Sequence, residues 1–505
     1  MPSRYHLVAF GPAEVAKPEA LLASVAQLKG TALGQPSLQQ WKAILSHLNS
    51  SGAKTLLIQD GVRDPDFLEE YEAFYSRQQR SVSRLCIRVH AFKLDCPDPV
   101  PTASQQLLAF VDEAASQQDS YLGFVTIRPL RHAPVGATII QDLPSIPALC
   151  KDYFPVHIAG TKFTVHGTPY LQQDNAVGAC AQASIWMALR TLRRRAGNSA
   201  YSPAQLTVSA TKYTALNRVF PGRGGLTVGQ MLEAIRASNH DPLVIPIQVS
   251  GKQKPEAVIR QAQPYLESGL PVVTLLHHPK TLGHAVVAIG LSPAPAVNHS
   301  PAGLLIHNDN EGPYLELPRS VAGGSDKYSL AHTTNLIVPL PEGVFMSAAE
   351  AEPQAMAALS FWLPSFLVTP AVPGGLTLNP AILRTYLCTR HSFRSWAKDC
   401  AQLDSAAKDV YRISEMPRLV WVIEIHDSTV YDPNKPGLQS RVGEVVLDSA
   451  ADALHGDALV FIRLTSKLVP VPTTQPGLLV TGEGAVIALA TGEAVGGITE
   501  PWGKD

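Results

Sequence analysis

Gln172-Gln173-Asp174-Asn175-Ala176-Val177-Gly178-Ala179-Cys180-Ala181-Gln182-Ala183-Ser184-Ile185-Trp186-Met187-Ala188-Leu189-Arg190 passes from a polar run, through glycine and one cysteine, into a helical pattern. Ile185, Trp186 and Leu189 recur at helical spacing, which places the cysteine at a helix N-terminus. A thiol there feels the positive end of the helix dipole. Its pKa is lowered, and a thiolate nucleophile comes within reach near neutral pH. A buried, inert thiol is nevertheless the commoner fate of a free cysteine. The stretch therefore gains meaning only from partners elsewhere in the chain.

Two such partners follow in order. Val272-Val273-Thr274-Leu275-Leu276 reads as a strand after the helix break Gly269-Leu270-Pro271. A loop carrying His277 and His278 leads to Leu282-Gly283-His284-Ala285-Val286-Val287-Ala288-Ile289-Gly290, a second strand. Leu304-Leu305-Ile306 is a third, and it runs into His307-Asn308-Asp309. Neighbouring strands thus bring His284 and an Asn or Asp to one end of a sheet. Nucleophilic thiol catalysis needs these three types: a thiol that attacks an acyl carbon, a histidine that moves the proton, and a polar group that fixes the imidazole. The oxyanion needs donors as well. The backbone N–H of Cys180 is one, and the side-chain amide of Gln173 is a candidate for the other. His307 competes poorly with His284 as the base, because it lacks the Gly-His-Ala-Val strand context.

The bulk numbers agree with an enzyme-sized globular chain. Its 505 residues suggest roughly three domains. A hydrophobic content of 45% with 16% charged residues allows a sizeable core and excludes bulk disorder. A formal charge of -1 gives no reason to expect nucleic acid or an anionic membrane as partner. The six cysteines, Cys86, Cys96, Cys150, Cys180, Cys388 and Cys400, form no Cys-x-x-Cys pair, so neither a metal site nor a redox motif is expected. Low cysteine density and a start without a signal-peptide pattern point to the cytoplasm. No apolar run is long enough to span a membrane.

The chain divides, on pattern, into an N-terminal α/β region over 1–155, a central region over 156–345, and a C-terminal region over 346–505. The first alternates helices (Ser37 to Leu48, Asp66 to Arg77, Gln105 to Ala115) with strands (Thr55 to Ile58, Cys86 to Leu94, Tyr121 to Ile127). The last reads as a helical connector and a β-rich module: a helix over Ala348 to Ala358, a helix from Asn379 towards Lys398, one over Ser405 to Tyr411, and strands at Arg418 to Ile425, Val442 to Leu447 and Ala458 to Leu464. The tail from Leu478 to Thr499, repeating Thr-Gly-Glu, reads as a hairpin. Three groups resemble sites but suit ordinary roles better. Asp60, Asp64 and Asp66 lack the order of a calcium loop. Gly222-Arg223-Gly224-Gly225 lacks the rest of a phosphate loop. Glu424, His426, Asp427 and Asp432 suit strand and turn polarity.

With these residues in place, the middle third resembles the papain-like-fold cysteine peptidases, above all bacterial peptidases related to those that remove double-glycine bacteriocin leaders. Gly178-Ala179-Cys180 is similar to their Gly-Ser/Ala-Cys, and Leu282 to Gly290 to their histidine strand. The resemblance implies an α+β fold with a papain-like domain between two flanking regions. It also implies a cysteine peptidase or amidase that needs no cofactor and takes a peptide or protein substrate. A protein partner would bind through the flanking regions. Cys180 would be the nucleophile and His284 the base. The third member would be Asp309 or Asn308, with Asp309 slightly favoured because the bacterial branch often uses Asp. Strand alternation makes the two point oppositely, so only one is expected to serve. Two departures stand out. Ala181 replaces the aromatic residue that follows the nucleophile in the papain branch. The oxyanion glutamine is expected six residues before the cysteine, where this chain has Asp174, while Gln173 is seven before and Gln172 eight. These departures keep open a papain-like scaffold that binds a peptide or protein without turnover, and the same triad order keeps open an acyl transferase of transglutaminase-like type, in which an amine replaces water as acceptor.

Overall fold

In the computed structural model, the described residues exclude 1–4, 28–38, 80, 101–103, 118, 131, 175–179, 213–224, 281–282, 295–299, 323–324, 368–380, 453–456, 465–466, 472–486, 490–492 and 503–505. Gly178-Ala179, Leu282, Gly222 to Gly224 and most of the tail from Leu478 to Thr499 therefore lie outside them. The rest is a mixture of helix and sheet of α+β type.

In chain order the elements begin with β1 (Tyr5–Ala9), α1 (Pro12–Ala16), α2 (Pro18–Gln27), α3 (Gln39–Ser50), β2 (Thr55–Val62), α4 (Pro65–Glu70), β3 (Cys86–Phe92), α5 (Ser104–Ser116), β4 (Tyr121–Ile127), β5 (Val135–Gln141), β6 (Asp152–Ile158) and β7 (Thr161–Tyr170). The helix opened by the cysteine is α6 (Cys180–Arg195). It is followed by α7 (Pro203–Thr211), α8 (Val228–Ala237), β8 (His240–Pro246), α9 (Lys254–Glu267), β9 (Val272–Leu276), β10 (His284–Leu291), β11 (Gly303–Asn308), β12 (Gly312–Pro318) and β13 (Thr333–Pro341). The remainder holds α10 (Ala348–Leu367), β14 (Ala381–Thr389), α11 (Arg390–Asp399), α12 (Ser405–Ile413), β15 (Leu419–Asp427), β16 (Gln439–Asp448), β17 (Leu459–Leu464), β18 (Lys467–Pro470), β19 (Ile487–Ala488) and β20 (Val495–Gly496).

These elements form two compact units with an interleaved chain path. The first takes Met1–Pro255, Pro271–Ser292 and Gly303–Pro339. The second takes Glu256–Leu270, Pro293–Ala302 and Leu340–Asp505.

The first unit holds two sheets. One has the order β1-β2-β3-β4-β5-β7-β6 and is antiparallel at every pairing, although helices and strands alternate along its sequence. Its face carries Phe92, Tyr121, Phe163 and their neighbours, which form one apolar cluster with Leu107, Phe110 and Val111 of α5. Gly123 in β4 adopts φ +120°, and a Cβ there would stand 2.2 Å from the carbonyl of Ile139, so the close β4–β5 approach requires glycine. The second sheet has the order β12-β11-β10-β9-β13-β8. Helix α6 packs on β10, with its residues from Ala181 to Leu189 buried. Small side chains at Ala181, Ala183, Ser184 and Ala188 let the helix approach closely, and Ser184 Oγ donates to the carbonyl of Ala285 at 2.9 Å. Helix α3 presents Trp41, Ile44, Leu45 and Leu48 to the core, the apolar face expected from their spacing. A capping box starts α8: Thr227 Oγ1 accepts from the backbone of Gln230, and Gln230 Oε1 from that of Thr227.

The second unit is built on the sheet β14-β15-β16-β17-β18-β19, with β20 beside β16. The helix expected from Asn379 towards Lys398 is a strand and then a helix. Residues 381–389 pair along their whole length with β15, and only from Arg390 does the chain turn helical, with Thr389 Oγ1 accepting from Ser392 N–H as cap. The sheet buries charge as well as apolar groups. Glu424 accepts from Arg384 Nη1 at 2.9 Å, Arg441 Nη1 at 2.7 Å and Tyr386 OH at 2.7 Å. Arg384 also pairs with Glu267. Glu444 accepts from Arg441 Nε at 2.9 Å and Arg463 Nη2 at 2.6 Å. Burial opposes ionisation of Glu424, but Arg441 and Arg384 hold its carboxyl well below the usual range. Asp427 and Asp432 meanwhile cap turns at Thr429 and Asn434. Among the described residues no helix is long and apolar enough to cross a membrane, and no group of His, Cys, Asp and Glu is arranged to hold a metal ion.

Candidate active site

The site is assembled where α6, β10 and the end of β11 meet. Cys180 is the first residue of α6 and half-buried. His284 is the first residue of β10, Asn308 the last of β11, and Asp309 follows in the turn to β12. His284 is buried and its Nε2 lies 2.9 Å from Asn308 Oδ1. That oxygen also accepts from the backbone N–H of Asn310 at 3.0 Å, which fixes the orientation of the amide. Nε2 must then carry the hydrogen, and Nδ1 is the unprotonated nitrogen of the neutral ring. The ring face of Tyr328 stacks on the imidazole at 5.3 Å with an interplanar angle of 28°.

Asn308 and Asp309 do not point to opposite sides. The carboxylate of Asp309 lies 3.6 Å from the same Nε2. Strand alternation ends at Asn308, and the β11–β12 register shifts between Ile306 and Asn308, so Asp309 belongs to a turn. That turn is braced from two distant elements. Gln40 of α3 donates to the carbonyls of Asp309 and Asn310, and Tyr170 of β7 reaches those of Asn308 and Asp309. Gly312 follows with φ +146°, and a Cβ there would stand 2.5 Å from that of Ala43, so α3 can sit against this turn only beside glycine. Gln40, Tyr170 and Tyr328 have no motif of their own. Tyr170 adjoins the polar run before the cysteine, the one sequence signal available.

The electrostatics run against a preformed ion pair. The Cys180 thiol is pushed up to about 11, first by burial and then by the Asp309 carboxylate, while hydrogen bonds from the backbone at Ala285, Ala181 and Cys180 oppose the rise. Burial lowers the His284 pKa below 6.5, against the Asn308 hydrogen bond, which raises it. The thiolate expected at the helix N-terminus is opposed by burial, which disfavours the charged forms of the thiol and the imidazole alike. Asp309 is buried and pushed up to about 8, so its carboxyl also holds its proton well above the usual range.

His307 is held apart from this chemistry. Burial and the nearby His47 push its pKa down to about 3, and its Nδ1 accepts from the backbone of Tyr314. Gln172 is spent on structure: its Oε1 accepts from the backbone of Val135 at 2.9 Å, and its carbonyl accepts from Arg128 at 2.9 Å. Gln173 is the next residue and half-buried; the segment 175–179 that joins it to Cys180 lies outside the described residues. The charge of Asp174 acts on Glu70, which burial pushes up to about 7. Comparison with known proteins finds no family model and no curated protein that matches the chain.

Proposed function

We propose that the first unit is a papain-like thiol hydrolase, a cysteine peptidase or amidase working through a thioester. The observation that carries this reading is the His284–Asn308 hydrogen bond, set beside a helix that begins at Cys180 and packs on His284's own strand. Cys180 Sγ attacks the acyl carbon and its proton passes to His284 Nδ1. The tetrahedral oxyanion is held by the Cys180 N–H and the Gln173 amide. Collapse breaks the bond to the amine, which leaves with the proton from Nδ1. Water then gives a proton to Nδ1 as its oxygen attacks the thioester, and expulsion of the thiolate, reprotonated from Nδ1, frees the carboxylic acid. Asn308 holds the ring throughout, and Asp309 stands behind it as a second polar group.

The test is acylation. Incubation with p-nitrophenyl acetate is expected to leave one acetyl group on the peptide containing Cys180, released by hydroxylamine, and Cys180→Ala is expected to abolish peptide hydrolysis. Acetylation elsewhere, or full turnover by the alanine variant, would overturn the reading.

A second reading is favoured by the raised Cys180 pKa: a scaffold that grips a peptide or protein without cleaving it. Peptide binding unchanged in Cys180→Ala, with no acyl-enzyme in the wild type, would select it. A labelled amine appearing in the product would identify the acceptor as an amine rather than water, and the enzyme as an acyl transferase.

A further inference from the structure

A cavity of 610 Å³ lies in the first unit along the C-terminal half of α6. Trp186, Arg190 and Arg194 face it one turn apart. Strands β4 and β6 contribute Phe124 and Phe154 opposite, and β3 contributes Arg88. Every guanidinium here lies over an aromatic ring of the same cavity: Arg88 over Phe124 at 4.4 Å, Arg190 over Trp186 at 5.1 Å, and Arg194 over Phe154 at 5.2 Å. Stacking holds each fork in place.

Each guanidinium spends little of its five-donor capacity on the protein. Arg88 Nη2 meets Asp64 at 3.0 Å, Arg190 Nη1 meets Asp66 at 3.0 Å, and Arg194 Nε meets Asp152 at 3.3 Å. Arg88 Nε is buried without a hydrogen-bond partner among the described residues. Each of the three arginines thus meets one carboxylate, Asp64, Asp66 or Asp152, and keeps N–H donors beyond that pair to offer to the space they line. The volume falls within the range of small-molecule sites, and ordered forks match oxyanions in two-point fashion.

We propose that this cavity binds a small organic oxyanion, with an aromatic body against Phe124, Phe154 and Trp186 and an anionic head on the arginines. The site is separate from the thiol chemistry and stands whether or not Cys180 turns over substrate.

The test titrates the full chain with 8-anilinonaphthalene-1-sulfonate, an aromatic anion that fluoresces in apolar surroundings, and with N-phenyl-1-naphthylamine, the same body without the sulfonate. The sulfonate is expected to fill one saturable site, at least about tenfold more tightly than the neutral probe. Arg194→Gln and Arg190→Gln are each expected to erase most of that difference. Arg194 is the safer variant for folding, because its side chain is 41% exposed. Ile139→Trp, which fills the cavity, is expected to weaken both probes. Equal affinity for the two probes in the wild type, non-saturable binding, or unchanged sulfonate affinity in a folded Arg194→Gln protein would each overturn the proposal.

Discussion

His284 Nε2 donates to Asn308 Oδ1 at 2.9 Å, and the Asn310 N–H fixes that oxygen in place. The imidazole is thereby held in one tautomer, with Nδ1 as the base. Asn308→Ala removes the restraint and leaves a rotating ring, so kcat is expected to fall on the order of tenfold or more with a smaller change in KM. Steady-state kinetics on a fluorogenic peptide measures this, and an unchanged kcat would remove Asn308 from the mechanism.

The acid side of the rate profile follows from the same bond. His284 must be neutral to accept a proton, and burial lowers its pKa below 6.5. Activity is therefore expected to persist below pH 6.5 and to fall only as the pH drops through the lowered value. The Asn308 bond favours the protonated ring, so Asn308→Ala is expected to shift this limb further towards acid. A shift towards neutral pH would contradict the assignment.

Alkylation reads the thiol directly. With Cys180 pushed up to about 11, its reaction with iodoacetamide is expected to accelerate steadily from pH 7 to pH 10. A plateau below pH 8, followed by mass spectrometry of the labelled peptide, would instead reveal an ion-paired thiolate.

Asp309 has a stability signature. Its carboxyl is pushed from 3.8 up to about 8 in the folded chain, so between these values the native state holds a proton that the unfolded state releases. Its contribution is present below the unfolded value and lost as pH rises through the folded one, by up to about 1.4 kcal/mol per pH unit. Asparagine does not titrate. The thermal midpoint of Asp309→Asn relative to the wild type is expected to rise between pH 4 and pH 8 and to level off above. A constant difference across that range would refute the burial argument.

In the second unit, Glu424→Ala strands Arg384 and Arg441 without their shared carboxylate. A cost of about 3–5 kcal/mol in denaturant unfolding is expected. Because these charges are buried, the penalty should change little between low and high salt. A loss below about 1 kcal/mol would show that the arginines find other partners.

Elements whose pattern is local were readable in the sequence. Trp41, Ile44, Leu45 and Leu48 repeat at helical spacing, and α3 forms around them. Ala285 to Ile289 form a continuous apolar run, and β10 is buried on both faces. The segment 381–389 misled because Ile382, Leu383, Tyr386 and Leu387 repeat like a helix face. The strand wins through nine paired positions with β15, and buried Arg384 is tolerated only because Glu424 and Glu267 reach it. At the candidate site, the residues that could act were visible as types in order. What braces them was not: Gln40 and Tyr170 lie far away in sequence and act through backbone carbonyls, which carry no residue-specific signal.

The interleaved chain path also bears on how the two units can be studied apart. The second unit draws Glu256–Leu270 and Pro293–Ala302 from between segments of the first. No single cut separates them: a fragment ending near residue 345 would keep those two pieces but lose the sheet they belong with. Truncation would remove some segments of the second unit and leave others behind, so the roles of the units are better separated by substitutions within the intact chain.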